Sequence, residues 1–568
     1  MQLDTENQDW LDSFTASKGR KPRVLHIGNI ANNAYNNAKL LNEAGLENDV
    51  VCYDYYHIMG CPEWEDAYLS GVISDDFKPD WINQNVSEFV RPLWFVQGPQ
   101  KLCLDHLLAK RSGRAVEAEN YWLQISIANL TSRPAGIFTR MRTAWFELNN
   151  RGKDVLGNIS RLSRLNPVVV FSDIYNSSFT RNIALNVICA STLMFAWTLM
   201  HIGVRIAQKL KKKFGIYSGV PLTKGDSRFD KKVASLVSAW SDEFPEREDV
   251  LTHDDLADYQ STTERWLQLF SYYDVVIGYS TDGIYPLLTG TPFFAFEHGT
   301  IREIPYQATS QGRNAAMTYR NAEHVFVTNF DCLKSANTLA PGRFTLINHP
   351  YDEDHGERVT GWEDLKWRLR LDLDSDFVCL FPTRHDWVPG TGYADKANDV
   401  FLLALADLRK AGFRVGAVCC DWGANVAQSK ELIAKTGLAS HVSWVKPLAM
   451  MQFEQMARAC DLVADQFKLG AFGGIVFKAM AVGAPILTYL NEARLLEQYA
   501  EVPPVVNCAT QSSIVEKLGA LCASPDRLIT LGSASRAWMK RYHGKRDTVN
   551  LQLKQFRKLT EKHVLAGF

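Results

Sequence analysis

Asp465-Gln466-Phe467-Lys468-Leu469-Gly470-Ala471-Phe472-Gly473-Gly474-Ile475-Val476-Phe477-Lys478-Ala479-Met480-Ala481-Val482-Gly483-Ala484-Pro485 decides the reading of this chain. A glycine-rich turn opens a helix, and the helix feeds a strand. Backbone N–H groups at such a helix start can hold a diphosphate, because the first amides of a helix lack internal partners and point outward. A tight turn packing helix on sheet is the plainer alternative, since glycine turns are common.

Working outward, the segment belongs to a series of short apolar runs alternating with helical spacing. It starts at strand Phe377–Phe381 and passes through helix Asp399–Lys410, strand Val415–Cys419, helix Ala427–Thr436 and strand Val442–Val445. Helix Met451–Ala459, strand Leu462–Ala464, helix Ile475–Val482 and strand Pro485–Leu490 complete it. Such alternation predicts a parallel doubly wound sheet. A second series lies nearer the N-terminus. Arg23–Ile27 ends at Gly28 as a buried strand does on entering a turn, Tyr35–Ala44 has helical spacing, and Asp49–Tyr53 is the next strand. Strand signals return at Asp274–Ile277, Pro292–Phe296 and His324–Val327.

Turn-rich Asn348–Asp354 marks the linker, and Ser535–Leu565 reads as helical and basic. The division expected is therefore 1–350, 351–545 and a terminal helix 546–568. The fold class is α/β: two Rossmann-like doubly wound parallel-sheet domains facing a cleft, with the C-terminal helix crossing back. Ligands in such folds sit at the carboxyl ends of the strands.

With 568 residues the chain is too long for one core. A net charge of -1 gives no global bias toward nucleic acid or membrane. The eleven cysteines lack paired Cys-x-x-Cys spacing, which argues against a disulfide framework or zinc finger and for a reducing, cytoplasmic setting. Met1–Arg20 is polar and carries no apolar signal-peptide run.

No G-x-G-x-x-G follows the first strand, and neither a P-loop nor a G-x-S-x-G elbow occurs. Phe472-Gly473 with Ala479-Met480-Ala481-Val482-Gly483-Ala484-Pro485 instead resembles the sugar-nucleotide site of GT-B glycosyltransferases, especially the retaining family 4. That family carries two glutamates in this motif, the first at donor sugar hydroxyls and the second at the ribose. Gly470 and Lys478 stand in their places.

The resemblance implies further donor contacts. Arg384, after Pro382-Thr383, and Lys396 match a pair of cations that clamp the donor diphosphate and stabilise charge on the leaving group. Trp422 and Gly423, and then Lys446 and Pro447, follow successive strands where the nucleotide is expected. Gly28 lies in the first βα loop, near the phosphates. Gly470, Phe472, Gly473, Gly474 and Lys478 complete the donor set. His298, in Glu297-His298-Gly299-Thr300, matches a histidine that faces the donor across the cleft.

The function expected is transfer of a sugar from a nucleotide-sugar donor to a saccharide or lipid-linked acceptor, as in surface polysaccharide or glycoconjugate synthesis. Retention of configuration, no metal and no cofactor go with the resemblance. Asp372, Asp374 and Asp376 read as a solvated turn. The alternatives are an inactive nucleotide-sugar-binding module and a nucleotide-sugar epimerase, which would need acid/base carboxylates in the cleft.

Residues from about 100 to 215 form an unmatched insertion. Leu130–Leu165 is basic, and uncharged Asn182–Val204 precedes Lys209–Lys213. A buried helix is the first expectation there. A helix lying on an anionic membrane surface, giving peripheral contact through 130–213, is the second.

Overall fold

The computed structural model describes residues 1–69, 89–131, 228–297, 299–391 and 395–565, with scattered positions between 73 and 86. Most of the insertion (132–227) and His298 lie outside the described residues, and so do the expectations placed on them.

Two parallel sheets organise the chain. The first contains β1 (Arg23–Ile27), β2 (Glu47–Tyr53), β3 (Phe95–Gly98), β4 (Val275–Tyr279), β5 (Phe294–Glu297), β6 (His324–Val327) and β7 (Phe344–Leu346), ordered β3-β2-β1-β4-β5-β6-β7. The second contains β8 (Phe377–Phe381), β9 (Val415–Cys420), β10 (Val442–Val445), β11 (Leu462–Ala464), β12 (Ile486–Thr488) and β13 (Val506–Asn507), ordered β10-β9-β8-β11-β12-β13. The two doubly wound domains are those the alternation predicts.

The strands are apolar on both faces because helices cover both. Leu25 and Ile27 enter one apolar layer of the first domain and Val24 the other. In β8, Phe377, Cys379 and Phe381 face one layer, while Val378 and Leu380 face the opposite one. Period-two alternation between two buried layers is what a covered parallel sheet requires.

Chain order reverses between β1 and β4 in the first sheet and between β8 and β11 in the second. At such a switch point the flanking helices diverge to opposite faces and leave a crevice beyond the strand ends. Gly28 and Asp282 follow β1 and β4. Thr383–Arg384 and Asp465 follow β8 and β11.

The C-terminal helix Lys545–Leu565 returns to the first domain. Val549, Leu553, Phe556 and Leu559 enter its apolar layer, and the Phe556 ring lies 5.4 Å from that of Phe294. The stretch Ser535–Leu565, expected to be helical with a terminal helix from 546, falls in two helices, Asp526–His543 and Lys545–Leu565, parted at Gly544, whose ψ of 152° is extended. A Cβ on Gly544 would come 2.6 Å from the Lys540 carbonyl oxygen.

Helix Thr5–Lys18 and strands β3, β7 and β13 are among the elements not expected. Thr5–Lys18 is a helix lying along the C-terminal one, where Trp10 Nε1 donates to Thr560 Oγ1 at 3.1 Å. Strand β3 joins the first sheet at its edge beside β2. Among the described residues no helix is long and apolar enough to cross a membrane.

The segment after β2 reaches the second domain. Ile58, Cys61, Trp64, Leu69 and Trp81 pack with Ala449, Gln452 Nε2 donates to the Leu69 carbonyl at 2.7 Å, and Tyr68 donates to Gln455 at 2.7 Å. Beside these contacts His355 bridges carboxylates from both lobes. Its Nε2 lies 3.3 Å from Asp66 of the first domain and its Nδ1 2.9 Å from Glu454 of the second. Those two carboxylates outweigh burial and raise His355 to about 9.

Candidate functional site

In the second domain the site is organised by a buried carboxylate. Asp465 leaves β11 and accepts from Thr383 Oγ1 at 2.7 Å and from the Gly473 amide at 3.1 Å. The Gly473 position admits no side chain, since a Cβ there would lie 2.1 Å from Asp465 Oδ2. Burial raises the Asp465 pKa, and the Lys396 charge works against that rise.

This arrangement revises the role expected of the Gly473 amide, because its proton is already held by Asp465. The next two amides, of Gly474 and Ile475, have no helical acceptor in front of them and open helix Gly474–Ala481. Phe472 supplies backbone to the turn, while its ring packs on Phe477 at 4.8 Å and on Trp538 at 5.8 Å. Gly470 has φ +68°, the left-handed region that favours glycine, and its carbonyl accepts from the Asn491 amide at 2.9 Å.

Arg384 and Lys396, the two cations expected at the donor, act on one another electrostatically. Arg384 sits 5.8 Å over the Trp422 ring and 3.7 Å from Asp386. Trp422 is itself fixed by donating Nε1 to the Pro382 carbonyl at 2.8 Å. The Lys396 ammonium is depressed mainly by burial. Asp465 and Asp386 oppose that fall, and Arg384 and Arg302 add to it. Arg302 belongs to the first domain, just past β5, so cations from both lobes act on one ammonium. Arg302 is braced by Asp331, at 2.6 and 2.9 Å.

The remaining residues expected at the donor have other partners. Lys478 meets Glu65 of the first domain at 3.4 Å and lies 5.9 Å over the Tyr351 ring. The charge inverted at this position is therefore neutralised across the cleft. Asn36 Nδ2 also donates to the Glu65 carboxylate, at 3.1 Å. Exposed Lys446 pairs with Asp421 at 2.9 Å, Pro447 is half-buried beside it, and Gly423, at φ +107°, abuts the His385 backbone.

In the first domain Gly28 has φ +85°, and a Cβ there would fall 2.0 Å from Asp282 Oδ2. The other Asp282 oxygen accepts from the Tyr53 hydroxyl. Burial raises Asp282 to about 7, against the pull of that hydrogen bond. The sequence reading passed over Asp282. The available signal was an Asp-Gly pair in the loop that follows a buried strand. Glu297, at the end of β5, is fully buried and accepts from the Gly299 amide and the Tyr319 hydroxyl.

Among the described residues no group of three or more His, Cys, Asp and Glu side chains could hold a metal ion. Asp374 and Asp376 lie in an exposed turn and both meet Arg414, at 2.7 and 3.4 Å.

No family model matches the chain, and no curated protein matches it in sequence. Solved structures do resemble it. HepE of Anabaena in complex with UDP and glucose is 17% identical over 53% of this chain and 82% of its own, with TM-score 0.43. Sucrose-phosphate synthase of Thermosynechococcus elongatus is 14% identical over 56% and 81%, with TM-score 0.38. UDP-GlcNAc 2-epimerase of Neisseria meningitidis, bound to UDP-GlcNAc, is 14% identical over 62% and 89%, with TM-score 0.34. Likeness at this level speaks to neither substrate nor mechanism.

Proposed function

We propose that the chain is a glycosyltransferase that moves a sugar from a nucleotide-sugar donor to a saccharide or lipid-linked acceptor. The observation that carries this reading is the convergence of Arg384 and Lys396 beside the glycine turn at the β8/β11 switch point, within the field of Arg302 from the facing domain. Like charges crowded at a cleft repel one another unless an anion joins them. A diphosphate carries enough charge to do so, and its departure from a sugar is helped by cations already in place. The sequence resemblance to the GT-B motif supports the same ligand.

On this reading Arg384 and Lys396 bind the diphosphate, and Gly474 with Ile475 offers it the amides that Gly473 does not. Assembly of a surface polysaccharide or glycoconjugate in the cytoplasm, with peripheral membrane contact through the insertion, is the setting proposed. No metal or cofactor is assigned a role. The resemblance would bring retention of configuration with it, a course that needs no protein base.

A nucleotide-sugar epimerase is the second reading. Asp282 supports it by supplying one carboxyl that titrates near neutrality. Glu297, the nearest counterpart by position at a strand end, has both oxygens engaged, so the acid/base pair this reading needs is incomplete.

Melting curves against a panel of nucleotide sugars, followed by assay of nucleoside diphosphate release, test the proposal. Stabilisation by one donor and slow release that is lost in Arg384→Ala are expected. An inert panel with no release would remove the proposal. Stabilisation without turnover on any acceptor would leave a binding module.

A further inference from the structure

We infer that Arg302 of the first domain is a third ligand of the donor's diphosphate, so that the anion is held from both lobes and its site is complete only when they close. The inference rests on the glycosyltransferase reading and deepens it.

Arg302 stands at the carboxyl end of the first sheet, where it ends the turn Thr300–Arg302 that follows β5. Its guanidinium is fixed along one edge only. Nε donates to one oxygen of Asp331 at 2.6 Å and Nη2 to the other at 2.9 Å. Asp331 comes from the turn Phe330–Cys332 after β6, so two neighbouring loops set the guanidinium plane. The fork occupies the Nε–Nη2 edge and leaves Nη1 outside it. Among the described residues nothing accepts from Nη1. Gly299, at φ +146°, keeps the space beside it clear, since a Cβ there would come 2.6 Å from Nη1. An arginine held in this way keeps two N–H groups for a second oxyanion. The side chain is 39% exposed, so a bound molecule can reach it.

The second domain supplies the counterpart. The Arg302 charge acts on the Lys396 ammonium, and so does that of Arg384. Such influence fades over roughly 10 Å at physiological salt, a span comparable to a diphosphate with its attached groups. Lys396 takes part in no ion pair among the described residues, and Asp465 acts on it only by its charge. Arg302 and Arg384 are each backed by a carboxylate, Asp331 and Asp386. Those carboxylates cancel part of the mutual repulsion, which lets three cations face one crevice before an anion arrives.

A diphosphate meets this arrangement with oxygens on both phosphorus atoms. Arg384 and Lys396 take it from the second lobe, beside the Gly474 and Ile475 amides, and Arg302 takes it from the first. Charge that builds on the diphosphate as the sugar leaves then meets a guanidinium already in place. With the lobes apart only the second-domain half remains, which binds the donor and stabilises its departure less. The approach this needs is the one seen, since Lys478 with Glu65 and His355 with Asp66 link the lobes.

The experiment uses the full chain, inorganic pyrophosphate, and the nucleotide sugar and nucleoside diphosphate that the panel identifies. Arg302→Ala should lower turnover at saturating donor by about 10²-fold. The melting shift given by the nucleoside diphosphate should shrink, while that given by the corresponding nucleoside stays as in wild type. Dilute guanidinium should restore part of the turnover of Arg302→Ala without raising its melting temperature, which separates a phosphate ligand from a brace. Arg302→Lys keeps the charge, but one ammonium cannot fork Asp331 and hold a phosphate together, so its turnover should lie between. Should Arg302→Ala not fold, Arg302→Lys carries the same test. Asp331→Ala should lose less than Arg302→Ala. Arg302 variants that turn over donor as wild type does, or an equal loss in Asp331→Ala, overturn the role of Arg302 alone. A wild-type chain whose melting neither pyrophosphate nor any nucleotide shifts overturns both this inference and the glycosyltransferase reading.

Discussion

The two switch points are built alike and charged differently. Each sets a carboxylate beside a glycine that has no room for a Cβ: Asp282 against Gly28 in the first domain, Asp465 against Gly473 in the second. Burial raises both carboxyls. Around Asp282 stand tyrosines, whereas beside Asp465 stands Lys396, with Arg384 next to it. The same backbone device thus sets one buried carboxylate beside a tyrosine hydroxyl and the other beside an ammonium. Topology creates the crevice, and a few neighbouring side chains decide its chemistry.

The largest effects should come from the charged side of this comparison. Lys396→Ala and Arg384→Ala should each lower donor turnover by about 10²- to 10³-fold, as loss of leaving-group stabilisation does. Steady-state assays at saturating donor check this, and an equal loss in Asp407→Ala, far from the cleft, would show that the assay reports folding instead.

Next comes Gly28→Ala. The left-handed backbone and the collision with Asp282 add, for a cost of about 2–4 kcal/mol in denaturant unfolding. Gly473→Ala meets only the collision, because its φ of -78° is ordinary. Its cost should be nearer about 1 kcal/mol, and adding Asp465→Ala should recover part of it. Equal costs at the two glycines would break the proposed distinction between strain and crowding.

A smaller, pH-dependent effect belongs to the contact that fixes one lobe to the other. The folded pKa of His355, about 9, lies above its ordinary 6.5. Its contribution is therefore complete below about pH 6.5 and disappears as pH rises through about 9. The stability gap between wild type and His355→Gln should be on the order of 2 kcal/mol at pH 6 and close toward pH 10. A gap that widened with pH would mean that His355 is neutral in the folded chain. The smallest effect expected is that of exchanging the cleft pair. Lys478→Glu together with Glu65→Lys should melt within a few degrees of wild type, while either change alone melts lower.

Much of the fold was legible in the sequence. Strands such as Phe377–Phe381 and Leu462–Ala464 match residue for residue, because a strand covered on both faces is a plain apolar run between turns. β3 escaped notice because Phe95–Gly98 sits in a segment without strand-helix alternation around it. Thr5–Lys18 escaped because its buried residues are few and spread among polar ones, and its partner lies more than 500 residues away.

The site could be read as an expectation where residue type carries the signal, as with Arg384 and Lys396. It was not legible where spatial neighbours decide. Asp465 stood within the quoted motif, yet nothing in the sequence says that it takes the Gly473 amide. Lys478 looked like an isolated inversion of charge until Glu65 appeared opposite.

The returning helix has a mechanical consequence. The polypeptide enters the second lobe after β7 and leaves it at Gly544, so that lobe hangs from the first by two covalent crossings. Side-chain bridges such as Lys478 with Glu65 and His355 with Asp66 add to those two crossings. Because Val549, Leu553, Phe556 and Leu559 anchor the far end in the first lobe, trimming the last twenty or so residues would undo one of the two crossings and strip part of the first lobe's core while leaving the second lobe's own core intact.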